Sequence, residues 1–184
     1  MSSEPNADEE RHPLSRILAE HRELAQRLDE MERECLALSR GGPLRPEFWE
    51  GILGYFAETV DGLHHAREER LLFAALEQRG LSPHGHIATL RREHERARAW
   101  RARIRSALAQ RDGLRLQATV AGLIDFERQH IRKEDQMLIP LARQALEPQD
   151  IEELAKASDA LEAEHARGSE PPARANHGSS SSLG

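Results

Sequence analysis

Apolar residues recur at the three- and four-residue spacing of a single helix face in four long stretches and a shorter fifth. The first opens at Pro13, carries Leu14, Ile17, Leu24, Leu28, Met31 and Cys35, and ends at Gly41-Gly42-Pro43. The second starts at Pro46, carries Leu53, Phe56, Val60, Leu71 and Leu72, and stops at Gly80. The third follows Ser82-Pro83 with Ile87, Leu90, Ala97, Ile104 and Leu108, and closes at Asp112-Gly113. The fourth runs through Leu116, Val120, Leu123, Leu138 and Leu141 to Glu147-Pro148. Proline just inside a start and glycine just past an end are the expected helix punctuation. Four long helices with short connections predict antiparallel neighbours, hence an all-α, up-down-up-down four-helix bundle over 12–147. A short accessory helix over 148–167 follows, with Ile151, Leu154, Leu161 and His165 on one side. Residues 1–11 and 168–184 are too polar or too rich in Ser, Gly and Pro to pack, and are expected to be disordered.

Six polar residues interrupt the apolar stripes: His21, His64, Glu68, His94, His130 and Glu134. Two of the interruptions share one form, His64-x-x-x-Glu68 and His130-x-x-x-Glu134, which stands a nitrogen and a carboxylate one above the other on a helix face. In a helical hairpin, residues equally far from the turn share a height. His21 lies 18 residues before Ser39 and His64 18 after Pro46, while His94 lies 17 before Arg111 and His130 16 after Leu114. The six therefore form one layer. The halves also repeat, with Glu20-His21 matched by Glu93-His94. Burying six such groups requires that they compensate one another, as a hydrogen-bonded cluster or around cations. Four imidazoles and two carboxylates suit two ions with bridging carboxylates, and that is the preferred reading.

Composition supports the helical reading, since charged residues make up 32% and aromatic residues only 4% of the 184, which starves a sheet of its preferred residues. A formal charge of −6 provides no general field for nucleic acid or an anionic membrane. The arginines at 91, 92, 96, 98, 101, 103 and 105 spread around the polar circumference of their helix and read as a solvated face. Cys35 alone cannot form an internal disulfide and falls on an apolar stripe. The polar, acidic start has no leader pattern, and no run approaches the ~20 apolar residues of a membrane span. A cytoplasmic protein is expected.

The segments His64-His65-Ala-Arg-Glu68-Glu69-Arg-Leu-Leu-Phe73 and His130-Ile-Arg-Lys-Glu134-Asp135-Gln-Met-Leu-Ile-Pro140, with His21 and Glu93-His94-Glu95, resemble the haemerythrin-like (HHE cation-binding) domain over about 13–146. The resemblance implies a four-helix bundle holding a non-haem di-iron centre, with His21, His64, Glu68, His94, His130 and Glu134 as metal ligands. Manganese and zinc also suit such ligands. It departs at the third helix, where oxygen-carrying members have two histidines four apart but His94 has Leu90 and Arg98 at that spacing. That points away from reversible oxygen carriage and toward binding or sensing of O2, NO, peroxide or iron, with a protein partner left unspecified. The alternatives are a peroxide-decomposing enzyme and a helical interaction module without redox metal.

Asp61 and Glu127 sit one turn before His64 and His130 and are expected to orient them by accepting their other N–H. His65, about 100° from His64 on an α-helix, is a boundary residue with at most an outer role. His165 is an interfacial histidine that approaches the end of the bundle. His84 is expected to be exposed and His86 to lie too far along its helix; His12 and His177 fall in the flexible ends.

Overall fold

The computed structural model describes residues 12–169. Those residues are helical apart from short turns, with no strand among them. Helix α1 is Pro13–Ser39, α2 spans 46–78, α3 is His86–Ala109, α4 spans 113–145 and α5 is Pro148–Ser169. The expected tails and His177 lie outside the described residues, except that α5 continues through Gly168 to Ser169. Pro13 and Pro46 stand in the first turns of α1 and α2, where a missing N–H costs nothing. Gly41, at φ 86°, takes the left-handed conformation that ends α1, and the Gly42 N–H returns to the Ala37 carbonyl at 3.0 Å. The Asp112 carboxylate caps α4 by accepting from the Arg115 N–H at 3.0 Å.

Helices α2 and α4 are not uniform α-helices. Residues Phe56–His64, Glu68–Leu72 and Glu134–Leu138 are π-helical. In α4 the cause is visible in the sequence: Pro140 has no N–H to return to the preceding turn, and the wider turn lies just before it. The sequence pattern alone predicted unbroken α-helices, and the extra width per turn changes which side chains face inward.

Buried apolar residues form two clusters. One contains Leu24, Leu28 and Met31 of α1, Trp49 to Val60 of α2, Ile104 and Ala107 of α3, and Leu116 to Ile124 of α4. The other contains Leu14 and Ile17, Leu72 to Leu76, Ile87 and Leu90, and Leu138 to Ala142 from the same helices, joined by Leu154 of α5. Helices α1 and α3 run from the second cluster to the first, and α2 and α4 run back, so successive helices alternate in sense. The polar interruptions lie between the clusters, as the residue counts require. Helix α5 lies across α1 and the π-helical part of α2, burying Leu154, Ser158 and Leu161.

The arginines of α3 are not all solvated. Arg101 is 5% exposed and donates to Asp61 at 2.5 Å and to Glu127 at 3.1 Å. No helix among the described residues is long and apolar enough to cross a membrane.

Leu28 is fully buried in the first cluster. Leu28→Ala should cost about 2–5 kcal/mol, read as a lower urea midpoint at unchanged slope.

Candidate metal centre

The six interrupting residues meet. His21, His64, His94 and His130 are at most 3% exposed, and Glu68 and Glu134 are fully buried. Each π-helical segment borders this group: one ends at His64, the second begins at Glu68 and the third begins at Glu134. Two four-residue clusters result, His21 with His64, Glu68 and Glu134, and His94 with His130, Glu68 and Glu134. Both carboxylates belong to both clusters. Across them His21 Nε2 lies 3.1 Å from Glu134 Oε2, His130 Nε2 3.2 Å from Glu134 Oε1, His94 Nε2 3.3 Å from Glu68 Oε2 and His64 Nε2 3.7 Å from Glu68 Oε2.

The opposite nitrogen of each imidazole is held from a neighbouring helix. Glu20 of α1 accepts from His64 Nδ1 at 2.9 Å, and Glu69 of α2 from His94 Nδ1 at 2.6 Å. Glu93 of α3 accepts from His130 Nδ1 at 3.0 Å, and Asp135 of α4 from His21 Nδ1 at 2.7 Å. These four bonds close a ring through all four long helices, and each acid is the chain neighbour of an inner residue. A carboxylate on Nδ1 fixes the proton there and leaves the Nε2 lone pair facing inward. Lys133 also donates to Glu93, and the buried Arg67 to Glu20.

Sequence reasoning gave the holding role to other acids. Asp61 instead accepts from His65 Nδ1 at 3.0 Å and from Arg101, while Glu127 meets Arg101. The reason is directional: with Nε2 turned into the core, Nδ1 points sideways to the next helix and not back along its own. Glu20, Glu69, Glu93 and Asp135 were overlooked, although each stands beside an inner residue in the sequence. Arg67 and Arg101 carried no such signal. His65, expected at a boundary, is 1% exposed and stacks on His94 with ring centroids 3.7 Å apart and planes at 15°. Its position follows from the π-helical turns on either side of 65–67, which set it at a different angle from the one an α-helix gives. His165 packs on Gly62 of α2: a Cβ there would fall 2.9 Å from His165 Cε1, so a larger residue would require the ring to move. His84 and His86 are exposed.

The donors fit cations. His21, His94 and His130 Nε2 and all four oxygens of Glu68 and Glu134 are buried without a hydrogen-bond partner. Such a set of inward lone pairs is costly until something positive completes it. Without an ion, protons take that part. Burial pushes His94 and His130 down, but Glu134 and Glu68 outweigh it and raise them to about 9 and about 11. Burial is likewise overcome at His21, by Asp135 and Glu134, which hold it well above its ordinary value. Burial and mutual repulsion push Glu68 and Glu134 up, yet the surrounding imidazoles hold both below the usual range. His65 differs, since burial takes it down to about 3 despite Asp61.

Fold and cage together define an all-helical cation-binding domain, built from histidines and carboxylates around a buried centre. The chain belongs to the hemerythrin HHE cation binding domain family, which matches residues 12–142. No curated protein and no solved structure matches at a significant level.

The pKa shifts set a pH dependence for the metal-free protein. Above the ordinary 6.5, unfolded histidines are neutral while His94 and His130 stay protonated in the fold, so stability falls as pH rises toward about 9 and about 11. Below 6.5, unfolded His65 gains a proton that the folded chain refuses, so stability falls in that direction too, and falls further as the depressed carboxylates protonate. Thermal melts of chelator-treated protein should therefore give the highest Tm near pH 6.5, and added divalent metal at pH 7 should release protons into unbuffered solution.

Proposed function

We propose that the chain is a haemerythrin-like, non-haem di-iron protein of the cytoplasm that binds or senses a small ligand. In this reading residues 12–147 form the up-down-up-down four-helix bundle and α5 is its accessory helix. His21 and His64 would hold one ion and His94 and His130 the other, with Glu68 and Glu134 available to both. The observation that carries the reading is the sharing of both buried carboxylates by the two clusters. Seven inward-facing nitrogen and oxygen atoms, buried without a hydrogen-bond partner, support the same reading.

A redox-active iron pair supplies the electrons and the open positions that O2, NO or peroxide require, which favours iron over manganese or zinc. The chain's own residues do the rest. The ring of Glu20, Glu69, Glu93 and Asp135 aims the Nε2 atoms, and the two apolar clusters exclude water from either end. Sensing is favoured over turnover by one connection. Arg67, 1% exposed, donates to Glu20 behind His64 and to Glu162 of α5 at 2.6 Å. A change of charge in the cage therefore reaches α5 through Glu20 and a single guanidinium. Elsewhere α5 is docked by ion pairs away from the cage, among them Arg16 to Asp159 at 2.6 Å and Arg79 to Asp150 at 2.7 Å.

Protein expressed with ample iron should carry about two irons per chain and absorb in the near ultraviolet when oxidised; fewer than about one per chain contradicts the reading. Glu68→Ala and Glu134→Ala should each lose both ions, because each removes a donor common to both clusters. Amide exchange in α5 should change between the reduced and oxidised iron-loaded protein, and Glu162→Ala should blunt the difference. Sustained peroxide consumption with unchanged α5 exchange would favour the enzyme.

A further inference from the structure

The four acids of the outer ring do not present the same charge to the imidazoles they hold. Three of them are compensated by a cation. Lys133 donates to Glu93, behind His130. Arg98 Nη2 lies 3.8 Å from Glu69, behind His94, and Arg98 Nε 3.3 Å from Asp61. Arg67 donates to Glu20, behind His64, and is divided between it and Glu162 of α5. Asp135, behind His21, has no hydrogen bond or ion pair except with that histidine among the described residues.

The imbalance falls on one half of the cage. On the side of His94 and His130, two outer acids meet Arg98 and Lys133, and the further acids there, Asp61 and Glu127, both face Arg101. On the side of His21 and His64, two outer acids meet one shared guanidinium. A carboxylate on Nδ1 makes the far nitrogen a stronger donor to a cation, and a positive group on that carboxylate takes part of the effect back. The inner donors give no such difference, because each half has two imidazoles and both halves share Glu68 and Glu134. Outer charge therefore separates two positions that the inner donors repeat.

We propose that Asp135 sets the order of loading: its uncompensated charge makes the position of His21 and His64 the tighter of the two, filled first and emptied last. The inference rests on the two-ion reading of the cage and assigns an affinity-determining residue within it. Asp135 is 39% exposed, so water screens part of its field and the effect is a difference in affinity between two usable positions.

The test uses the zinc-loaded full chain, emptied stepwise by a competing chelator and followed by histidine 15N NMR, so that each step is assigned to the imidazoles that change. His94 and His130 should change in the first step and His21 and His64 in the second, with affinities at least about tenfold apart. Repulsion between two ions splits the steps even in a symmetric cage, but it moves all four imidazoles together; that outcome overturns the proposal, as does the reverse order. Asp135→Asn keeps an acceptor for His21 Nδ1 and removes the charge, so it should weaken the His21 and His64 position about tenfold and leave the other within about twofold. An unchanged order and spacing of the steps in that variant overturns the proposal. Lys133→Gln has the opposite sign: freeing Glu93 from its cation should tighten the His94 and His130 position several-fold, whereas loosening there means that Lys133 merely supports the ring and counts against control by outer charge. Loading is measured before any chelator is added, and two zincs per chain are expected. A single zinc on His21 and His64 contradicts the two-ion reading yet upholds the inequality; none, or one on His94 and His130, overturns both.

Discussion

Two carboxylates with no access to water, Glu68 and Glu134, lie at the centre of this chain, and the rest of the structure is arranged so that they remain charged. An isolated buried carboxylate would take up a proton, because leaving water costs it several kcal/mol. Here four imidazoles surround the pair and keep it ionised, and the metal-free protein supplies compensating charge as protons on His21, His94 and His130. Cations and protons compete for the same lone pairs. That exchange places the centre at the meeting point of folding, pH and metal loading, so none of the three can be altered alone.

The polar layer is tolerable because of its surroundings. Apolar clusters close it above and below, and the second arginine of the region, Arg101, ties Asp61 to Glu127 at its edge. Glu127 shows how finely the balance is set: it too is fully buried, but burial outweighs Arg101 and its carboxyl is raised. The difference between it and Glu68 is the number of facing imidazoles. On the other side Arg67 extends the layer outward to α5, so the accessory helix is attached to the polar centre as well as to the apolar core.

Much of this was legible in the sequence. The helix spans follow from the spacing of apolar residues and from Pro13, Pro46, Gly41 and Gly80. The common height of His21, His64, His94 and His130 follows from counting residues to each turn. Two things were not legible. The π-helical turns shift angular phase without changing composition, so a reading at α-helical pitch set His65 at the boundary. The partners of the Nδ1 atoms depend on the direction in which a ring presents its second nitrogen, and that is a property of neighbouring helices. The signal was nevertheless present in Glu20-His21, Glu68-Glu69, Glu93-His94 and Glu134-Asp135, where every outer acid abuts an inner residue.

The outer acids circulate in one sense: each long helix reaches the imidazole of the next, and α4 returns to α1. Four amphipathic helices with short links can be laid around a core clockwise or anticlockwise, and apolar stripes alone distinguish the two poorly. In the mirror arrangement each carboxylate would point away from the histidine it now holds. The ring is thus chiral, and it gives a chain whose hydrophobic pattern is nearly indifferent to handedness a reason to adopt only one.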